Sequence, residues 1–235
     1  MRDQLIVALD VATVAEARGL VARLGSAGTF YKVGMWLLFA PGVEGFIDEL
    51  VAAGKRVFLD YKIYDIPETV RRGVAAVAAR GVHMVTVHGD PEIVAAAVEG
   101  ARGRGCLVFA VTVLTSQDDG ALAAMGYSMG VSALVALRVR TAAAAGADGV
   151  IASAADDPDG LRAMAGKPLL VATPGIRLAG GAVHDQKRVM TPDAAVARGA
   201  DYLVVGRPIT QAADPVAAVH EVLALMEKGR AARRG

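Results

Sequence analysis

Cysteine is almost absent from this chain, in which Cys106 is the only one among 235 residues. A single cysteine cannot form an internal disulfide, and it offers none of the paired spacings that are typical of metal sites. Because Cys106 begins the apolar run 106–109, we expect it to be a core thiol of a cytoplasmic protein.

An excess of charge of one sign is also lacking. The chain has 25 basic and 24 acidic residues and a net charge of +1, so it has no broad positive field for nucleic acid. Its basic cluster, residues 228–235, lies at the C-terminus. We therefore expect a single domain of residues 1–228, a disordered basic tail of residues 229–235, and no nucleic-acid partner.

Long hydrophobic runs are missing as well. No apolar run approaches the roughly 20 residues that a membrane-spanning helix needs. The chain leads directly into the strand-like run 5–10, without the basic region, apolar segment and cleavage site of a signal peptide. We therefore expect a cytoplasmic protein with no membrane partner.

Short β-branched runs alternate with alanine-rich stretches along the chain, which is 54% hydrophobic. Eight of these runs predict strands, and nearly all are continuously apolar, as in parallel strands that are covered on both faces. The predicted strands are Leu5 to Asp10, Phe30 to Gly34, Arg56 to Lys62, Met84 to Gly89, Leu107 to Leu114, Gly149 to Ser153, Leu169 to Pro174 and Tyr202 to Arg207.

Helical patterns separate the predicted strands, and several end in glycine, a common C-terminal cap. Eight repeats of a strand followed by a helix favour a (β/α)8 TIM barrel over an open doubly wound sheet. No G-x-G-x-x-G follows the first strand, so a dinucleotide-binding fold lacks its main support. The predicted helices are 14–24, 42–53, 67–79, 92–100, 132–145, 159–164, 192–197 and 215–228.

Three charged residues stand at and just beyond the end of the third predicted strand. Asp60 and Lys62 are two apart and should share one face of the strand, and Asp65 follows where the chain leaves the sheet. An isolated pair of this kind is usually a structural ion pair that contributes little. Polar residues at the ends of the neighbouring strands favour a functional site instead.

The C-terminal ends of the strands carry the chemistry of α/β barrels, and polar residues collect there on this chain. Each has a structural explanation on its own, such as a helix cap or a turn, but together they indicate a site on one rim. Besides the charges of strand three, they are Asp10, Lys32, Thr115, Ser116, Pro174, Arg177, Gly206 and Arg207.

The ends of strands seven and eight indicate a binding site for phosphate. Gly206 allows close approach of the backbone, and Arg207 supplies a guanidinium group for phosphate oxygens. The glycine-rich segment 178–186 lies between these strands and contains Gln186. It fits either a mobile lid that brings Gln186 onto the ligand or an ordinary surface loop.

With these motifs the chain resembles the orotidine 5'-phosphate decarboxylase family over nearly its whole length. The most specific matches are Leu59-Asp60-Tyr61-Lys62-Ile63-Tyr64-Asp65-Ile66-Pro67-Glu68-Thr69-Val70 and Val205-Gly206-Arg207-Pro208-Ile209. Segments 9–10, 31–34, 113–116, 173–177 and 185–192 also match. The resemblance implies conversion of orotidine 5'-phosphate (OMP) to UMP and CO2 without a cofactor or a metal.

The resemblance also implies roles for individual residues. The implied catalytic set is an alternating network of charges, Lys32, Asp60, Lys62 and Asp65, with Lys62 as the proton donor. In the implied homodimer, Asp65 and Thr69 reach the active site of the partner subunit. The implied substrate-binding set is Asp10, Lys32, Asp60, Thr69, Thr115, Ser116, Pro174, Arg177, Gln186, Gly206 and Arg207.

Two alternatives stay open. A 3-keto-gulonate-6-phosphate decarboxylase of the same barrel group shares D-x-K-x-x-D, but those enzymes use Mg2+ and carry a carboxylate on strand two, where this chain has Lys32. A catalytically silent nucleotide-binding protein should lose the charge network, which is present here. The fourth strand departs from the family in the turn after His88, which we expect to be a buried, hydrogen-bonded histidine outside the catalytic set.

Overall fold

Eight parallel strands close into a barrel in a computed structural model that describes residues 1–178 and 189–234. Each strand pairs with the next one in the chain, and β8 returns to pair with β1. The predicted (β/α)8 fold is therefore confirmed. The strands are β1 Leu5–Ala8, β2 Phe30–Gly34, β3 Arg56–Ile63, β4 Met84–His88, β5 Leu107–Val111, β6 Gly149–Ile151, β7 Leu170–Thr173 and β8 Tyr202–Val205.

Helices follow the strands and form the outer layer. Every predicted helix is present, with bounds that differ by a few residues. Three short helices, α2, α6 and α10, were not predicted, because segments of four to six residues are too short to show helical periodicity. The helices are α1 Val14–Leu24, α2 Met35–Leu38, α3 Val43–Ala52, α4 Pro67–Ala79, α5 Pro91–Ala101, α6 Asp119–Ala124, α7 Val131–Ala144, α8 Pro158–Ala165, α9 Pro192–Ala197, α10 Arg207–Thr210 and α11 Pro215–Arg234.

The core has two layers because alternate residues of each strand face opposite sides. One set of side chains packs between the strands and the helices. The other set fills the barrel interior and includes Ile6, Phe30, Phe58, Met84 and Phe109, all of them fully buried. This inner apolar layer fills the barrel interior, so a site at the C-terminal ends of the strands lies above it.

The structure corrects the expectation of a disordered tail for residues 229–234. Helix α11 continues through these residues to Arg234. Gly229 is buried against the backbone of Asp193, where a side chain would not fit, and Arg230 donates a hydrogen bond to Gln4. The domain boundary at residue 228 stays a prediction. None of the helices in the described residues is long and apolar enough to cross a membrane.

Candidate active site

The first three strands place three charged side chains directly above the apolar floor of the barrel. In β3, Phe58 points into the interior, so the side chain two residues later, Asp60, points the same way and lies at the rim. Lys32 follows Phe30 in the same manner on β2. Asp10 stands two residues beyond the interior Ala8, just after β1.

Lys32 lies between two carboxylates. Its Nζ is 2.9 Å from Oδ1 of Asp10 and 3.4 Å from Oδ2 of Asp60. Burial alone would lower the pKa of Lys32, but the carboxylates of Asp60 and Asp10 outweigh it and hold the pKa above its ordinary value. Gly34 makes room for this ammonium group, because a Cβ at that position would come within 2.7 Å of Nζ.

Asp60 is shared between two lysines. Its Oδ1 accepts a hydrogen bond from Nζ of Lys62 at 2.8 Å, while its Oδ2 faces Lys32. Burial would raise the pKa of Asp60, but the charges of Lys32 and Lys62 hold it below its ordinary value. Asp60 is therefore ionised at neutral pH, and signs alternate along the row Asp10, Lys32, Asp60 and Lys62.

A bulge in β3 gives the Lys62 side chain its position. The pairing of β3 with β4 shifts between Leu59 and Ile63, and Lys62 has a φ of 49°, which is unusual for a lysine. Thr86 of β4 fills the gap: its hydroxyl accepts a hydrogen bond from the Lys62 N–H at 3.0 Å and donates one to Oδ1 of Asp60 at 3.0 Å. The sequence analysis missed Thr86, since its position in β4 resembles that of any core residue.

A cavity of about 650 Å3 opens above this row, at the C-terminal ends of the strands. Its floor is apolar and includes Phe58 and Val204, and the charged row forms one wall. Most of the predicted site residues line it. They are Asp10, Lys32, Asp60, Lys62, Thr115, Ser116, Pro174, Arg177, Gly206 and Arg207.

The two arginines follow β7 and β8, whereas Lys62 belongs to β3. Arg177 follows β7, where Ile176 forms a bridge with Met190, and its guanidinium donates a hydrogen bond to the Ile176 carbonyl at 2.8 Å. Arg207 is the first residue of α10, directly after Gly206. Gln186, the remaining member of this predicted group, lies outside the described residues.

Asp65 and Thr69 do not line the cavity. Both are exposed, Asp65 in the turn after β3 and Thr69 in the first turn of α4. Oδ1 of Asp65 accepts a hydrogen bond from the Ile66 N–H at 2.7 Å. The cavity is therefore lined by three of the four predicted catalytic residues, Lys32, Asp60 and Lys62.

His88 differs from its expected environment. Its side chain is 35% exposed and stacks on Tyr64 with ring centroids 4.6 Å apart. Nδ1 lies 3.6 Å from Oδ1 of Asp90 and has no hydrogen-bond partner within the described part of the chain. The expectation of a buried, hydrogen-bonded histidine is wrong, although His88 does lie outside the cavity lining.

The cavity also includes residues that the sequence analysis did not single out. Trp36 and Met35 begin α2, Ser153 follows β6, and Gln211 follows α10. Ser153 is the last residue of the predicted strand 149–153, so the rule that located the other residues could have found it, whereas Gln211 lies four residues beyond the predicted end of strand eight at Arg207. Met35 and Trp36 also follow the end of a predicted strand, at Gly34, but they are apolar and so do not stand out among the polar residues collected at the strand ends.

Comparisons with known proteins agree with the geometry. A family model described as orotidine 5'-phosphate decarboxylase / HUMPS family matches residues 3–222. A protein of Afipia carboxidovorans named orotidine 5'-phosphate decarboxylase is 52% identical over 223 residues, which cover 95% of this chain and 94% of that protein. A protein of Methylorubrum populi with the same name is 50% identical, with 96% of both chains covered.

Among solved structures, a crystal structure of orotidine 5'-phosphate decarboxylase from Lactobacillus acidophilus superposes with a TM-score of 0.83 at 34% identity. The match covers 94% of this chain and 98% of that one. The match in sequence and in fold thus extends over nearly the full length of these relatives. This chain belongs to the orotidine 5'-phosphate decarboxylase / HUMPS family.

Proposed function

We propose that this protein decarboxylates OMP to UMP and CO2 in pyrimidine biosynthesis. The observation that carries the proposal is the row of Lys32, Asp60 and Lys62 along one wall of a cavity that also holds Arg177 and Arg207. A volume of about 650 Å3 is in the range of small-molecule sites. The relatives named orotidine 5'-phosphate decarboxylase at about half identity support the same activity.

The chemistry requires charges that are fixed before the substrate arrives. Loss of CO2 from C6 of the pyrimidine leaves an electron pair in an sp2 orbital, which the ring π system cannot delocalise. A preorganised ammonium group can stabilise that pair and then protonate it. Lys62 has this role in the proposal, because Asp60 fixes its Nζ at 2.8 Å.

Asp60 has a second role in the proposal. Because its pKa is lowered, it stays ionised and faces the carboxylate that leaves as CO2. The repulsion between the two carboxylates is relieved as the substrate loses its charge, and it therefore favours the transition state over the bound substrate. Binding of the phosphate, which is remote from the reacting carbon, supplies the free energy that brings the two carboxylates together.

The cavity orients the nucleotide across the barrel in this proposal. Asp10 and Lys32 hold ribose hydroxyls beside β1 and β2, and Thr115 and Ser116 lie near the pyrimidine. Pro174, Arg177, Gly206 and Arg207 surround the phosphate, together with Gln186 of the undescribed segment. The reaction needs no metal or cofactor in this proposal, because the charged side chains supply both electrostatic stabilisation and the proton.

A homodimer is part of the proposal. An apolar rim of large exposed side chains follows β2, β3 and β5, on the same side of the barrel as the turn that carries Asp65. A dimer formed through this rim would cover it and bring Asp65 and Thr69 to the partner's cavity. The apolar rim consists of Met35, Trp36, Phe39, Tyr64, Ile66, Leu114, Met125 and Tyr127.

The two rival functions make different demands on the site. A Mg2+-dependent sugar-phosphate decarboxylase needs a carboxylate on β2, whereas the Lys32 ammonium group stands there and would repel a cation. A silent nucleotide-binding protein has no need for the row of charges. A cytoplasmic location is also proposed, supported by the buried free thiol of Cys106.

The test is turnover of OMP by the purified protein in the presence of EDTA, followed by the fall in pyrimidine absorbance. We expect decarboxylation that neither EDTA nor added Mg2+ changes. 3-Keto-gulonate 6-phosphate with Mg2+ is the matched rival substrate. Turnover of the sugar phosphate alone, or binding of UMP without any turnover of OMP, would contradict the proposal.

A further inference from the structure

Thr86 of β4 is hydrogen-bonded to the charged row, and it is fully buried. Alternation along β4 directs its side chain into the barrel interior, on the same face as Met84. A hydroxyl group has one proton to donate and can accept in return. Thr86 gives its proton to Oδ1 of Asp60 and accepts the Lys62 N–H, both at 3.0 Å.

These two hydrogen bonds meet at the bulge of β3. Leu59 pairs with Val85 and Ile63 pairs with Val87, so residues 60–62 of β3 stand opposite Thr86 alone. The regular ladder therefore offers the Lys62 N–H no backbone acceptor at this point. The Thr86 hydroxyl takes that place and holds a backbone with a positive φ that lysine rarely adopts.

Packing does not explain why a threonine stands here. Valine has the same shape as threonine, and the neighbouring valines of β4, Val85 and Val87, pack on the opposite side of the strand, against the helices. A valine at position 86 would fill the same space in a buried strand. What distinguishes threonine from valine at this position is the hydroxyl group, and both of its hydrogen bonds lead to the charged row.

We infer that Thr86 is a positioning residue, whose hydroxyl fixes the Asp60 carboxylate and the backbone of Lys62 so that the Lys62 ammonium group meets the reacting carbon. The inference rests on the proposed decarboxylation. Thr86 does not line the cavity, and its effect is transmitted through Asp60 and Lys62. It contributes the alignment of the proton donor, while substrate affinity comes from other residues.

Thr112 provides a matched control. It is also fully buried, and its Oγ1 donates a hydrogen bond to the Ile151 carbonyl at 2.8 Å. Thr112 is not among the residues that line the cavity. Thr112→Val thus removes a buried hydroxyl of the same kind, whose hydrogen bond goes to a backbone carbonyl of β6 and not to the charged row.

The experiment compares kcat and KM for OMP in Thr86→Val, Thr86→Ser and Thr112→Val. Loss of a hydrogen bond to a charged group should lower kcat of Thr86→Val by roughly ten- to a hundredfold, with little change in KM. Thr86→Ser should restore most of the activity, and Thr112→Val should keep it. Equal kcat values for Thr86→Val and Thr112→Val would overturn the inference.

The pH profile adds a readout that a purely structural role would not move. Asp60 faces Lys32 and Lys62 besides Thr86, and the Thr86 hydrogen bond helps to keep the pKa of Asp60 low. Its removal should shift the acid limb of kcat/KM to higher pH in Thr86→Val but not in Thr112→Val. An unshifted acid limb would count against positioning through Asp60.

Amide exchange separates this inference from the proposed function. The Lys62 N–H should exchange faster with solvent in Thr86→Val than in the wild type or in Thr86→Ser, and NMR detects this without any substrate. Unchanged exchange would overturn the inference whatever the wild-type activity. Failure of the wild type to turn over OMP, with exchange altered as expected, would refute the proposed decarboxylation and leave the positioning of Lys62 established.

Discussion

Lys32 and Asp60 come from neighbouring strands, and Nζ of Lys32 lies 3.4 Å from Oδ2 of Asp60 above the closed apolar floor of the barrel. On the other side of the same carboxylate, Lys62 contacts Oδ1. Asp60 is therefore held ionised from two directions. Loss of either lysine should change both stability and chemistry.

Replacement of Lys32 should make the free energy of unfolding depend less on pH in the acid range. Because the folded-state pKa of Asp60 is lowered, its stabilising effect is fully present above the unfolded-state value of about 4 and is lost as the pH falls through the folded-state value. In Lys32→Met the pKa of Asp60 rises. We expect the free energy of unfolding of Lys32→Met to be lower than that of the wild type by about 3 kcal/mol or more at neutral pH. This difference should shrink as the pH falls below about 4.

Urea unfolding at several pH values measures this effect. Lys55→Met is the control, since the Lys55 ammonium group binds the carbonyls of Gly25 and Gly28 and no carboxylate. A stability loss in Lys32→Met that did not vary with pH would show that lost packing, rather than the charge on Asp60, accounts for it.

Tyr31 should be replaceable by phenylalanine with a gain in stability. The Tyr31 ring is fully buried, and its hydroxyl has no hydrogen-bond partner among residues 1–178 and 189–234. Burial raises the pKa of Tyr31 to about 12. Tyr31→Phe should increase the free energy of unfolding by about 1 kcal/mol at neutral pH.

Tyr31→Phe should also make the free energy of unfolding fall less steeply at alkaline pH. A raised folded-state pKa means that stability is fully present below the unfolded-state value of about 10 and is lost as the pH rises toward the folded-state value. Tyr31→Phe lacks this loss, so its advantage should grow above pH 10. A destabilised Tyr31→Phe would indicate that the hydroxyl has a partner after all.

The proposed sharing of the active site between two subunits predicts complementation between two inactive variants. Lys62→Ala and Asp65→Ala should each lose OMP turnover, but a mixed dimer contains one site free of both changes. Mixing and refolding the two should therefore restore part of the wild-type activity. If mixed dimers form, as native mass spectrometry can show, and no activity returns, each site is built from one chain.

Arg207 should act through the phosphate. A hydrogen bond to a charged group contributes about 1.5–3 kcal/mol, so Arg207→Ala should lower kcat/KM for OMP by roughly ten- to a hundredfold. Orotidine, which lacks the phosphate, should be affected little. Arg198→Ala is the control, because Arg198 binds the Ala154 carbonyl. Equal losses of kcat/KM with both substrates would contradict a role for Arg207 in binding the phosphate.

The fold could be predicted from the sequence because an apolar run followed by a helical pattern repeats eight times, and each repeat can be recognised from neighbouring residues alone. Continuous apolar runs indicated buried parallel strands, and the rule that sites lie at strand ends selected most of the residues that line the cavity. Helices α2, α6 and α10 escaped prediction because they are too short to show a period. The helical form of residues 229–234 could not be predicted from local sequence, because Arg230 and Gly229 contact Gln4 and Asp193, which are distant in sequence.

The pairing of Asp60 with Lys62 was anticipated for a reason that is only partly right. Regular alternation placed both side chains on one face of β3, but the structure has a bulge there and a positive φ at Lys62. Thr86 of the neighbouring strand is hydrogen-bonded to the Lys62 N–H and to Asp60 at that bulge. Such hydrogen bonding between strands leaves no periodic signal in the sequence.

The most direct test of the account is OMP turnover by Lys62→Ala beside Lys55→Ala. Loss of the proton donor should lower kcat by at least about a hundredfold, while circular dichroism and UMP binding show a folded protein with an intact cavity. Lys55→Ala should retain the wild-type rate. A folded Lys62→Ala variant that keeps more than about a tenth of the wild-type kcat would contradict the assignment of Lys62 as the proton donor.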